Sequence, residues 1–474
     1  MKAQLSPFLT KSKPVVKRLL KALQQKFDYV SILGTDTFGT TYRVQKSSVS
    51  VEDSMWNERG FVVRVHNGMN YSEFSFNTLS ESTLEDTVKE IEEKLQAQSN
   101  EFKTLPASSY PLIEEEAGEH SFCGEVKIHP SAVSAKEKLS RMQNMLDRAL
   151  KLSNELVDFR ISYNEVEISK IFISSKKDLE QAYIISEGSM FPIVRRGEKT
   201  KFDYCSYSGL KAVELLDEME TGIESVVKDA IELLDAEQVV PGEYDVICTP
   251  KITGLIVHEA FGHGVEMDMF VKKRAKAVEY LGKPVASPLI TMHDGAAAAK
   301  DMSSYLFDDE GTLASDTVVI KDGILQTGIS DLLSAMKLGT IPTGNGKRQS
   351  FERKAYTRMT NTFFLSGDDT YEEMLASIKH GYLLDGMMSG MEDPKNWGIQ
   401  CMLIKGREIV NGAFTGKVVS PVILTGYVPD LLSSISMISN DFQLFGAGFC
   451  GKGYKEYVKV SDGGPYIKAK ARLG

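Results

Sequence analysis

The spacing of apolar positions changes several times along the chain, and each change marks an expected element. Val15, Val16, Leu19, Leu20, Ala22 and Leu23 recur at helical spacing, which predicts an amphipathic helix starting at Pro14, where proline suits a first turn. Residues 29–76 instead hold strand-like runs, with GFVVRV and YSEFSF facing each other across the Asn67-Gly68 pair, a hairpin signal. Helical spacing returns over 83–98, with Thr83 as the expected cap and acids in the first turn. A connection rich in Pro, Ser and Glu around 105–120 leads to a long helix expected over 135–158, apolar through Leu139, Met142, Met145, Leu146, Ala149, Leu150 and Leu156. DFRISYNEVEISKIFIS and LEQAYIISEG then read as strands, and a helix over 215–236 ends the half.

At VVPGEYDVICTP the pattern resets, which places a domain boundary there: 1–238 as a mixed α/β N-terminal domain and 239–474 as the C-terminal domain. The second part is richer in glycine and short strands. Hairpins are expected at Asp322-Gly323 and Lys405-Gly406, with helices opening near Thr253 and over 371–380. The expected class is α+β in two domains, the C-terminal one mainly antiparallel sheet with a metal-bearing helix.

Composition narrows the possibilities. With 474 residues, 42% hydrophobic and 25% charged, the chain is neither collagenous, coiled-coil nor disordered. Its apolar runs are too short for a membrane helix. A formal charge of -10 supplies no global field for nucleic acid. The one basic stretch carries Lys2, Lys11, Lys13, Lys17, Arg18, Lys21 and Lys26, and it reads as the solvated face of a docked helix. Because Lys17, Arg18 and Lys21 interrupt any signal-peptide core, no export is expected. Cys123, Cys205, Cys248, Cys401 and Cys450 form an odd set without CxxC spacing, which suits a reducing, cytoplasmic setting.

Chemistry concentrates in GLIVHEAFGHGVEMD, residues 254–268. Histidines four residues apart on an α-helix lie about 40° apart and share a metal readily, whereas the five-residue separation of His258 and His263 gives about 140°. A turn closed as i to i+5 rescues the pair, so a widened turn or an early helix end is predicted at 261–264, eased by Gly262. Two imidazoles and a carboxylate in an apolar segment are costly to bury without a shared purpose. His258 and His263 are therefore candidate ligands of a divalent metal, with Glu259 placed to act as general base toward metal-activated water.

Two ligands are too few. Cys450, in the glycine-dense FGAGFCGKGYK, is the candidate third, with Lys452 close enough in sequence to help hold a thiolate. Glu266 and Asp268 are nearer alternatives, either as ligands or as partners of the imidazoles. A His, His, Cys set with one open position suits catalytic zinc. The segment PTGNGKRQSFER lacks the phosphate-loop arrangement, since Lys347 is followed by Arg348; it is a surface loop or a wall of a substrate channel, where Arg348, Arg353 and Arg358 are candidates for a peptide carboxylate.

VHEAFGHGVEMD, FDDEGTLASDTVVIKDGIL, PTGNGKRQSFERKAYTRMTNTFF and GFCGKG, in that order, resemble the TldD/PmbA family of metalloproteases once described as modulators of DNA gyrase. The resemblance covers about 240–455, with ERGFVVRVHNG a weaker match in the first half. It implies the metal-bearing TldD-type subunit, with His258, His263 and Cys450 as metal ligands and Glu259 as the motif glutamate. It further implies cleavage of unfolded or flexible peptides in an enclosed site, and pairing with a PmbA/TldE-like partner or a second copy. DGMMSGMEDPKNWGIQ departs from the DP-T-G-F pattern of relatives, which bears on substrate handling. The competing expectation is a non-catalytic interaction subunit with a structural or lost metal, distinguished by whether the metal site is closed by four protein ligands.

Overall fold

The computed structural model describes residues 1–102, 109–453 and 456–474. The first half forms a nine-stranded sheet whose main path runs Tyr71–Phe76, Glu58–His66, Tyr29–Gln45, Leu156–Ser174, Lys177–Arg196, Gly118–Cys123. Only the last pairing on that path is parallel. Tyr29–Gln45 is buried along most of its length, so simple alternation is blurred, as expected when both faces of a sheet are covered. One face carries Val30, Ile32, Phe61, Val63 and Ile171 under the helices Pro7–Leu23 and Leu84–Phe102. Further along the same sheet, Tyr42, Phe159 and Ile161 pack under Ala135–Leu150 and Ile223–Glu232. The opposite face, with Leu33, Val62, Phe172 and Leu179, closes against Phe307 and Phe351 of the second half.

The second half supplies a seven-stranded sheet that closes on itself, because Gly242–Cys248 pairs with both His380–Asp393 and Ile467–Leu473. Beside it lies a six-stranded sheet that includes Met292–Asp294, Asn361–Phe364 and Ser461–Gly464. Antiparallel pairing dominates, with parallel register at Gly242–Cys248 on His380–Asp393 and at Asn361–Phe364 on Ser461–Gly464. The class is thus α+β, as expected. Helix Pro250–Ile256 runs between strands His380–Asp393 and Ser461–Gly464, and this sandwich sets the place of the metal motif. Among the described residues no helix is long and apolar enough to cross a membrane.

Several element boundaries differ from the sequence expectation, each for a local reason. The first helix starts at Pro7, not Pro14, because the Ser6 hydroxyl caps it by accepting from the Leu9 amide. Three of its five basic residues are tied to the chain's own acids: Lys13 to Asp178 and Glu180, Lys17 to Asp178, and Arg18 to Glu81. Ser80, not Thr83, caps the next helix, and Thr83 is the reciprocal partner in its capping box. The helix expected over 135–158 ends at Leu150; Ser153 bonds the Glu155 amide through its hydroxyl, and Leu156 opens a strand. The helix expected over 215–236 breaks at Gly222, where a Cβ would lie 1.8 Å from the Tyr207 hydroxyl oxygen. The helix expected over 371–380 stops at Ala376, and His380 already begins a strand.

The hairpin at Asp322-Gly323 is present, both residues having positive φ (50° and 80°), as a tight two-residue turn requires. The one expected at Lys405-Gly406 is not. Strand Gly398–Val410 runs straight through those residues and turns at Asn411-Gly412. Lys405 is only 2% exposed, and its ammonium lies 2.6 Å from Asp203, 3.0 Å from Asp229 and 3.9 Å from Asp385. A lysine that reads as a turn residue is here a buried cation linking the two halves of the chain. Removing one member of such a cluster leaves uncompensated buried charge, so Lys405→Ala is expected to cost about 3 kcal/mol or more in a urea titration; a loss below about 1 kcal/mol would show that the cluster is solvated and adds little.

Candidate metal centre

Pro250 occupies the first turn of helix Pro250–Ile256, behind Thr249 at the cap position. From Val257 to Gly262 the backbone widens into a π-helical turn, and the His263 amide donates to the His258 carbonyl, which is the i to i+5 closure itself. The widening begins earlier than the expected 261–264, but it has the expected effect of bringing His258 and His263 to one side. Their rings stand perpendicular with centroids 5.0 Å apart. Gly262 is required for a different reason from the one the sequence suggests. Its φ and ψ, -60° and -52°, are ordinary helical values. A Cβ there would instead lie 2.1 Å from the Met359 sulfur, so the constraint is close packing.

Cys450 opens the short strand Cys450–Lys452, and its sulfur reaches the pair: 3.2 Å from His258 Nε2 and 3.4 Å from His263 Nε2. The three donor atoms lie within 4.8 Å of one another, and among the described residues they form the one such group of His, Cys, Asp or Glu. The Nδ1 atoms face outward to carboxylates. His263 Nδ1 is 3.2 Å from Glu266 Oε2, and His258 Nδ1 lies 3.7 Å from Asp462 Oδ2, beyond a direct hydrogen bond. This is the arrangement in which an outer acid orients an imidazole and raises its basicity.

Glu266 and Asp268, the alternative ligands, are thus both committed elsewhere. Glu266 sits behind His263 and 3.0 Å from the Lys452 ammonium, which also donates to Asp268 at 2.6 Å. Lys452 therefore braces these carboxylates, not the thiolate. Arg358 donates to the Cys450 carbonyl at 2.7 Å, fixing the glycine-rich loop. None of the three loop arginines lines the site: Arg348 pairs with Glu73, and Arg353 is an exposed neighbour of Glu456.

Charge follows this geometry. Burial alone would push the Cys450 thiol up, yet the facing His258 and His263 rings hold it well below the usual range. Burial would lower both imidazoles, but Cys450 raises His258 to about 9, and Glu266 with Cys450 raises His263 well above its ordinary value. Glu266, despite complete burial, is drawn down to about 2 by Lys452, His263 and Arg358. By contrast the thiol of buried Cys248, with no cation beside it, is pushed up to about 12.

His258, His263 and Cys450 lie on the wall of a cavity of about 950 Å³ together with Glu259. The Glu259 side chain crosses strand His380–Asp393 at Gly390, where a Cβ would lie 2.4 Å from Glu259 Cγ. Gly390, Glu392 and Asp462 were not legible as site residues: they lie far from the histidine motif in sequence and carry no spacing that links them to it. Glu392 has both carboxylate oxygens buried without a hydrogen-bond partner, and burial keeps its carboxyl well above the usual range. The atypical segment that runs from Asp385 to Gln400 forms the hairpin of His380–Asp393 with Gly398–Val410, and residues 387–392 line the cavity.

His258, His263 and Cys450 form a donor set able to hold one metal ion, and the chain is similar to known metallopeptidases. Residues 241–471 match the PmbA/TldA metallopeptidase C-terminal domain. A metalloprotease of Methanocaldococcus jannaschii is 28% identical over 422 residues, covering 87% of this chain and 90% of its own. A zinc metalloprotease TldD homolog of Saccharolobus solfataricus is 28% identical over 342 residues, covering 70% and 75%. The fold is shared with a protein of Thermotoga maritima described as a modulator of a DNA gyrase, at a TM-score of 0.76 and 20% identity over 98% of this chain and all (100%) of the other. It is shared as well with TldE of Thermococcus kodakarensis, at 0.74 and 17% identity over 97% and 99%. Over residues 241–471 the chain is thus similar to the TldD/PmbA family.

A cation entering this site must compete with protons. Because the facing thiol and the outer carboxylate raise both imidazoles, Zn²⁺ binding is expected to release protons and to tighten as the pH rises through about 9, where His258 titrates. Calorimetry in buffers of differing protonation enthalpy measures this; binding without proton release would mean the imidazoles are neutral beforehand.

Proposed function

We propose that the chain is a metal-dependent peptidase acting on unfolded or flexible peptides, with His258, His263 and Cys450 as the metal ligands and Glu259 as general base. Residues 239–474 then form the peptidase domain, and residues 1–238 the domain packed behind it. The observation that carries the reading is the convergence of two imidazoles and one thiol in a cavity that also holds Glu259. Two nitrogens and a sulfur suit zinc, the metal in the name of the Saccharolobus solfataricus relative. Three protein donors leave a position open, which favours catalysis over a structural site. A bound divalent cation supplies Lewis acidity toward a peptide carbonyl and the attacking water. Glu259 takes the proton from that water and returns it to the leaving amine.

Substrate form follows from the walls. Gly242–Cys248 pairs with His380–Asp393 only through Gly381–Leu384. Beyond Leu384 that edge has no strand partner among the described residues, and it borders the cavity. An extended peptide can add there through its backbone, which gives affinity with weak sequence preference and excludes compact folded chains. The family resemblance supports a PmbA/TldE-like partner, or failing that a second copy, completing the chamber.

Glu259→Ala is expected to keep the metal and the fold while losing at least ~100-fold in peptidase activity. Cys450→Ala is expected to lose the metal. Gly390→Ala, by pushing Glu259 aside, should lower kcat with metal content unchanged. Activity and metal analysis on the same preparations read all three; full turnover by the Glu259 variant, or unchanged metal in the Cys450 variant, would overturn the assignment.

A further inference from the structure

The cavity wall is unusual in one respect. Met269, Met387, Met388 and Met391 all line it, four of the chain's 19 methionines in one site, where composition alone places about one. Met269 and Met387 are half-buried and also pack against the core of the second half, whereas the other two reach outward. Met388 is 43% exposed and Met391 65% exposed, and both sit on the free-edged part of strand His380–Asp393. A register shift between Met387 and Ser389 interrupts the regular pairing there, a bulge of the kind that re-aims side chains at sites. Exposed apolar side chains beside a catalytic constellation cost hydration and call for an occupant.

We propose that these methionines form an adaptable apolar subsite, so that the enzyme prefers peptides carrying apolar side chains of varied shape beside the cleaved bond. The inference rests on the peptidase reading and adds a substrate class to it. The occupant is the substrate itself, because the methionine wall is continuous with Glu259 and the metal donors in a single cavity. Methionine is unbranched and polarisable, so it moulds to leucine, phenylalanine or methionine alike; a wall of β-branched residues would select one shape. The strand edge holds the peptide backbone without regard to sequence, and the methionines add the preference.

One peptide backbone with Gly, Glu, Leu, Phe or Met at a single central position tests this on the full-length chain. Cleavage is measured with Zn²⁺-loaded protein, and equilibrium binding with the Glu259→Gln variant. The Leu, Phe and Met peptides are expected to exceed the Gly and Glu peptides about tenfold in binding and in kcat/KM, and to differ from one another by less than about threefold. In the Met388→Ser/Met391→Ser double variant the Leu-to-Gly ratio is expected to fall toward one. An unchanged ratio in that variant, or Gly and Glu peptides bound as well as Leu, overturns the subsite. Binding in the expected order without any cleavage supports the subsite and counts against the peptidase reading alone; cleavage without that order does the reverse.

Discussion

Two imidazoles and a thiol brought together in one largely buried cluster are the constraint on which the rest of this structure depends. Each is costly to bury alone, and their mutual contacts offset that cost only if the backbone brings all three to one point. The π-helical turn does so for His258 and His263, and that turn requires Gly262 to accept the Met359 sulfur in the space of a side chain. Gly254, one turn before His258, lets the helix approach strand Ser461–Gly464, where a Cβ would lie 2.6 Å from an oxygen of Asp462. The same approach brings Asp462 to His258. Packing and electrostatics are thus the same requirement seen twice.

The outer carboxylates carry the constraint across the molecule. Glu266 holds His263 and is braced by Lys452, whose ammonium also donates to the Thr357 carbonyl at 3.0 Å. The Thr357 hydroxyl donates to Asp331, and the neighbouring Leu332 amide donates to Glu310 at 2.7 Å. Glu310 in turn accepts from Arg64 of the first sheet at 2.6 Å. A continuous polar path therefore runs from the first-half sheet to an imidazole of the metal centre. That sheet's second face closes against Phe307 and Phe351 beside this path. The first half is in this sense part of the scaffold of the site, although it contributes no metal donor.

Much of the site could be read in the sequence because its chemistry is local. Five-residue spacing between two histidines in an apolar segment admits few solutions, and the widened turn is among them. Cys450 stood out among five cysteines by its glycine-rich setting. What could not be read depends on distant strands. Asp462 and Gly390 matter because a helix passes within contact distance of two strands, and nothing near them in sequence announces it. Lys405 misled for a related reason: its turn-like Lys-Gly pair is overridden by three carboxylates from other elements. Helix ends were misplaced where Ser6, Ser80 and Ser153 form local hydrogen bonds that apolar periodicity does not register. The fold class, by contrast, follows from the alternation of long strands and short amphipathic helices, which survives errors of several residues at any boundary.

The central claim is that His258, His263 and Cys450 hold one metal together. X-ray absorption at the metal edge of Zn²⁺-reconstituted protein measures its donors directly. The account predicts one sulfur and two imidazoles in the coordination shell, with the sulfur signal absent in Cys450→Ser protein. A shell of oxygen and nitrogen alone in the unaltered chain, or a sulfur signal that survives the Cys450 substitution, would contradict it.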